Sequence, residues 1–168
     1  SHRPTGFSAD RLLALDTVAA HPQSPIFWDQ LAEHLRTVPG VEQVALAGWP
    51  LLGGGDWNGF VSVNGAPPAP VLAHFLSVSP GWVEAMKIPL LDGRDFRANE
   101  TFPGSAIVNE AFAKQFFDGE NPIGKSCSKD GARYQIVGLV RDAPSRSMRE
   151  PIVPVAYVPL HAVDTHGV

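Results

Sequence analysis

The chain has 168 residues, 44% hydrophobic and 18% charged, with a net charge of −4. That length holds one domain, or two small subdomains sharing a core. The charge excludes an electrostatic case for nucleic acid or an anionic membrane, and no run approaches the roughly 18 apolar residues of a membrane span.

No signal-peptide pattern opens the chain. A single cysteine, Cys127, excludes an internal disulfide and a cysteine-based zinc site. Sixteen Pro and sixteen Gly predict many turns and short elements. Ser1-His2 reads as a cloning remnant, and Ser1 to Asp10 as a lead-in. Arg11 to Val18 reads as a strand in preference to a short helix. Ser24-Pro25 supplies an N-cap and a proline in the first helical position. Phe27, Leu31 and Leu35 then recur at i, i+4, i+8, with Trp28 and Ala32 beside them, until Pro39-Gly40 stops the helix. Burial of those three side chains is worth about 1.5–3 kcal/mol each. Val41 to Ala47 alternates as a strand, so the first third of the chain forms one β-α-β unit.

Pro50 to Trp57, with Gly53 to Gly55 in succession, is a flexible loop, since no helix start follows the glycines. Phe60 to Asn64 and Val71 to Val78 read as two strands of a hairpin around the Pro-rich turn Gly65 to Pro70. Ser79-Pro80 repeats the helix start. Trp82, Val83 and Met86 give that short helix its apolar face, and Pro89 ends it. Leu90 to Phe96 turns into a polar loop running to Gly104. There Asp92, Asp95 and Glu100 flank Arg94 and Arg97, the pattern of a solvated, ion-paired loop.

Ser105 to Asp142 is the most informative stretch, read as strand, helix, sharp turn, strand. Phe112, Ala113, Phe116 and Phe117 form one helical stripe, with Asn109 as N-cap, Glu110 in the first turn and Gly119 as the stop. Gly119 to Ser126 spells G-x-x-x-x-G-K-S, the phosphate-loop pattern. A working loop follows a buried strand and opens a helix. Here a helix precedes, and Cys-Ser-Lys-Asp-Gly follows as a turn. Pro122 also removes an N–H from the loop. The match therefore reads as a helix stop plus an Asn-Pro turn. Pro144 to Pro151 is a polar loop carrying Arg146 and Arg149. Ile152 to Leu160 is a last strand, which Pro154 and Pro159 place at a sheet edge. His161 to Val168 is a tail.

No catalytic constellation emerges. The histidines, His2, His21, His34, His74, His161 and His166, form no H-x-x-x-H or H-E-x-x-H pair. His74 reads as half of a cross-strand pair. There is no G-x-S-x-G elbow. Lys125 and Lys129 near Cys127 would lower its pKa, but no histidine partner is evident. Neither a catalytic residue, nor a cofactor, nor a metal ligand is assigned.

Five segments occur in an order that resembles a known family. They are Val78-Ser79-Pro80-Gly81-Trp82; Met86-Lys87-Ile88-Pro89-Leu90-Leu91-Asp92-Gly93-Arg94-Asp95-Phe96; Ala106-Ile107-Val108-Asn109-Glu110; Asn121-Pro122-Ile123-Gly124-Lys125; and Ile136-Val137-Gly138-Leu139-Val140-Arg141-Asp142. Leu35 to Val41 fits upstream. The pattern is similar to the extracytoplasmic core domain of MacB/FtsX-type ABC transporter permeases, over residues 6 to 160, with tails 1–5 and 161–168. The resemblance implies an α+β fold with mixed sheets and short helices: a porter-like β-α-β subdomain plus a second small α/β subdomain. It implies a periplasmic or extracytoplasmic domain of a bacterial inner-membrane protein, non-catalytic and without cofactor. Its partners would be its own transmembrane helices, a cytoplasmic ATPase and a periplasmic adaptor, in a dimeric transporter, with no nucleic acid. The domain would relay ATP-driven motion to substrate efflux or to the adaptor. A free-standing module binding a peptide or small hydrophobic ligand is the alternative.

Gly93, Gly124 and Gly138 are expected to serve a turn, a tight bend and a close approach in a strand. Asn109 is expected to cap its helix, Asn121-Pro122 to form the turn, and Arg94 and Asp142 to pair with each other or with loop-end carbonyls. The interface candidates are Trp49, Leu51, Leu52 and Trp57, large apolar groups around the glycine loop.

Overall fold

The computed structural model describes residues 25–48, 58–100, 104–143 and 152–160. The expected first strand, Arg11 to Val18, and the glycine loop with Trp49, Leu51, Leu52 and Trp57 lie outside them, as do His2, His21, His161 and His166. In order, the elements are α1 (Pro25–Arg36), β1 (Ala47–Gly48), β2 (Asn58–Phe60), β3 (Ser62–Val63), β4 (Leu72–Val78), α2 (Trp82–Ala85), β5 (Leu90–Gly93), β6 (Ser105–Asn109), α3 (Glu110–Phe117), β7 (Ser126–Lys129), β8 (Ala132–Val140) and β9 (Val155–Pro159). This is an α+β arrangement of a mixed sheet with short helices.

Helix α1 starts at Pro25, as its sequence signals require, but its buried line is rotated from the one expected. Ala32 is the buried residue, Trp28, Leu31 and Leu35 are half-buried, and Phe27 is 39% exposed. The inward stripe thus runs Trp28, Ala32, Leu35, and Phe27 stacks edge-on against Trp28 at 5.1 Å. The full burial energy expected of Phe27 is not realised.

Of the strand expected over Val41 to Ala47, only Ala47–Gly48 forms, antiparallel to β4. One further rung is made with a side chain. Ser79 N donates to Leu46 O at 2.8 Å, and Leu46 N donates to Ser79 Oγ at 2.8 Å. Ser79 therefore extends a ladder instead of capping α2, whose N-cap residue is Gly81. The hairpin expected between Phe60 to Asn64 and Val71 to Val78 is displaced: Asn58–Phe60 pairs with β4, with Phe60 opposite Leu72, while Ser62–Val63 pairs with β7.

The strand order is β1-β4-β9-β6-β8-β7-β3, with β2 also on β4 and β5 on β8. Only Val61 separates β2 from β3, and β3 pairs β7. The ladder that leaves β4 through β9 therefore returns to β4 through β3 and β2, closing a barrel-like circuit. Closure follows from Val61, which is 1% exposed: it turns inward where the chain leaves one partner strand for the other. Val61, Phe75, Val108, Tyr134, Ile136 and Val158 fill the interior, together with Phe112, Phe116 and Phe117 of α3. A second cluster, with Val83, Ile88, Phe96, Ile107, Val140 and Tyr157, lies on the other face, where Trp82 of α2 packs 5.3 Å from Tyr157.

Strand β9 corrects the edge position expected for it. It is central, parallel to β4 and antiparallel to β6. Its prolines sit at its two ends. Pro154 precedes the strand and accepts from His74 N at 2.9 Å, and Pro159 is its last residue. Strands β6 and β9 are buried on both faces beyond their first residue, which explains why they read as continuous apolar runs. Two further differences concern short strands. Leu90–Gly93, read as running into a loop, pairs with β8, and Ser126–Lys129, read as a turn, forms a hairpin with β8. The first is exposed throughout and the second buries only Cys127, so neither carries a clear apolar alternation.

Candidate functional site

The Gly119 to Ser126 turn begins where α3 ends, with Asp118 in the left-handed region. Five of its N–H groups are bonded within the protein. Gly119 donates to Ala113 O (3.1 Å), Glu120 to Phe117 O (2.9 Å), Ile123 to Asn121 Oδ1 (3.0 Å), Gly124 to Ile136 O (2.9 Å) and Lys125 to Pro122 O (3.0 Å). A phosphate cradle needs such groups free and convergent. The Lys125 ammonium lies 2.7 Å from Glu120 Oε2 and 5.6 Å from the Phe117 ring centre, and Ser126 opens a strand. The turn is a structural bolt. Asn121 Nδ2 donates to Asp92 Oδ2 at 2.5 Å, Pro122 is fully buried, and Ile123 reaches Gly93.

Gly93, Arg94, Asn121, Pro122, Gly124 and Gly138 thus gather around β5 and β8. Gly93 and Gly138 are cross-strand partners. Gly93 has φ +75°, and a Cβ there would collide with the Val137 carbonyl oxygen and stand 2.8 Å from Ile123 Cδ1. A Cβ on Gly138 would stand 2.5 Å from Arg94 O and 3.0 Å from Ile107 Cγ1. Arg94 does not pair with Asp142. Its guanidinium engages Glu100 and donates to Asp95 O at 3.1 Å, because Asp142 is occupied at the start of α3. The Glu100 side chain is only 13% exposed and also accepts from Ser105 Oγ at 2.8 Å. Burial pushes its carboxyl up, but the bonds from Arg94, Ser105 and Arg97 N, with the Arg94 charge, hold it below the usual range. The loop is ion-paired as expected but only in part solvated. Asp95 is an anchor, accepting from Gly81 N (2.9 Å) and Phe96 N (2.7 Å).

Asn109 and Asp142 meet at the first turn of α3. Asn109 Oδ1 accepts from Phe112 N at 2.9 Å, and Asp142 Oδ1 accepts from Ala111 N at 2.8 Å. Glu110 Oε1 in turn accepts from Asp142 N at 3.3 Å. Burial, with the nearby Glu110 charge, raises the Asp142 carboxyl against the lowering effect of the Ala111 N–H. Glu110 is the partner that sequence reading missed. Its position in the first turn signals a favourable dipole contact, not a bond to a residue 32 positions on.

Cys127 also differs from expectation. It is 2% exposed, and desolvation pushes its thiol up to about 12. Lys129 does not lower it, because that ammonium lies 5.0 Å from the Phe75 ring centre and 3.0 Å from Asp130 Oδ2. Among the described residues, no group of three or more His, Cys, Asp and Glu side chains has metal-binding geometry. A depression of about 440 Å3 lies between β2 and the β7–β8 turn, beside the exposed pair Phe60 and Leu72. Together these features describe a scaffold of interlocked turns.

A family model for the MacB-like periplasmic core domain matches residues 4–167. The fold is similar to the periplasmic region of MacB from Actinobacillus actinomycetemcomitans, with a TM-score of 0.59 and 15% identity over 82% of this chain. It is also similar to the extracellular domain of the noncanonic ABC-type transporter YknZ from Gram-positive bacteria, with a TM-score of 0.58 and 18% identity over 82%. The matches span 57% and 65% of those structures, less than two thirds of their length. At these identities the likeness is one of fold. No curated protein matches the sequence.

Proposed function

The chain belongs to the MacB-like periplasmic core domain family, the extracytoplasmic part of MacB-like ABC transporter permeases, and we propose that it is a mechanical, non-catalytic relay. ATP is hydrolysed by a separate cytoplasmic ATPase. Transmembrane helices flanking this domain carry the motion outward, and the domain passes it to efflux of a substrate or to a periplasmic adaptor. The functional unit is a dimeric transporter. The observation that carries this reading is the family match over nearly the whole chain. Two features support it. The turn with a phosphate-loop spelling spends five of its N–H groups on the protein itself, and the carboxylates Asp92, Asp95 and Glu100 are each engaged in structural bonds.

The test uses the parent transporter in nanodiscs, with spin labels on exposed positions of the two copies, Glu84 on α2 and Lys114 on α3. Inter-label distance distributions that change between nucleotide-free and ATP-trapped states, and stay fixed in an ATPase-dead variant, are expected. Distributions identical in every nucleotide state refute the relay.

A further inference from the structure

Asn109 is 2% exposed and joins two elements remote in sequence. Its Oδ1 accepts from Phe112 N in the first turn of α3 (2.9 Å) and from Val155 N at the start of β9 (3.0 Å), while its Nδ2 donates to Val153 O (2.9 Å). We propose that this one amide is a conformational latch, so that the start of β9 and the first turn of α3 open and close as a single unit.

If the start of β9 lifts away alone, Asn109 keeps its helix cap but loses the bonds to Val153 O and Val155 N, two of the three its side chain makes. An unsatisfied buried amide is costlier than an intact or a fully hydrated one. The cost is relieved only when the side chain swings to water, which removes the cap from Phe112. The reverse holds when α3 uncaps first. The end of β8 is fastened to the same turn through Asp142 and Ala111, so that turn joins the ends of β6, β8 and β9. The latch is a property of the folded chain and does not depend on the relay proposed above.

Amide hydrogen exchange by NMR on the 168-residue chain, at several low urea concentrations, tests it. The Phe112 and Val155 amides are expected to exchange at matching opening free energy and with the same urea slope. Asn109→Ala should accelerate both by a common factor, about 10- to 100-fold, while Cys127 on β7 keeps its rate. Asn109→Ser retains a helix cap but does not reach Val155, so Val155 alone should accelerate. Different urea slopes for the two amides in the unmodified chain overturn the latch. So does acceleration of Phe112 alone in Asn109→Ala, or equal acceleration of Phe112 and Val155 in Asn109→Ser. Should Asn109→Ala fail to fold, the unmodified chain and the serine variant still decide.

Discussion

Replacing Gly93, Gly124 and Gly138 with alanine, one at a time, separates two costs that a glycine can hide. Gly124 has φ +83° but nothing within 4 Å of an added Cβ. Its alanine variant bears only the left-handed backbone penalty, about 1–2 kcal/mol. Gly138 lies outside the left-handed region, yet its Cβ would press on Arg94 O and Ile107. Overpacking of this kind costs about 1–3 kcal/mol. Gly93 combines both, at φ +75° and against a backbone carbonyl that cannot rotate away. Its alanine variant should lose about 2–5 kcal/mol, the sum of the two separate costs. For a domain of this size each kcal/mol lowers Tm by about 2–4 °C. Thermal unfolding by circular dichroism should therefore rank the variants Gly124→Ala, then Gly138→Ala, then Gly93→Ala, with Gly93→Ala at least about 4 °C below the parent. Urea midpoints at a constant slope would confirm that the native state is what changed. Equal Tm values for Gly93→Ala and Gly124→Ala would refute the steric reasoning, since the two share a positive φ and differ in what the Cβ meets.

Asp142 has a folded pKa raised above its ordinary value near 3.8, so its contribution to stability is full below that value and is lost as pH rises through the folded one. Asp142→Asn, which keeps an acceptor for Ala111 N, should raise the urea midpoint at pH 7 and leave it unchanged near pH 3; a lower midpoint at pH 7 would contradict this. Glu100 has the opposite sign. Its depressed pKa gives stability present above its usual 4.5 and lost as pH falls through the folded value. Glu100→Gln should cost about 1–2 kcal/mol at pH 7 and nothing in strong acid. Cys127 should resist iodoacetamide at pH 8 in the native protein and react fully in denaturant, because its thiol is buried and neutral; rapid native labelling would show otherwise. Millimolar Mg-ATP should leave Tm unchanged, since binding to the folded state alone would raise it.

Much of this protein was legible from local chemistry. The start of α1 follows from Ser24-Pro25. The limits of α3 follow from Asn109 and Gly119 and from an aromatic stripe that repeats at helical spacing. Alternation around the Pro-rich turn located β4, but of the strand read over Phe60 to Asn64 only Phe60 pairs with it. The phosphate-loop spelling was also rejected on local grounds, because a helix precedes it and a proline interrupts it. These signals act within a few residues, so the sequence displays them directly. What tertiary structure decided were choices between equivalent partners. An alternating or apolar segment does not state which strand it joins. The central place of β9 and the return of β3 to close the circuit through Val61 depend on long-range register. Arg94 had several acidic candidates, and only the folded geometry put Glu100 beside it and Asp142 at the helix. Asn109 looks like any helix cap until β9 arrives from 46 positions away, because a side-chain amide bonds whatever the fold brings within 3 Å.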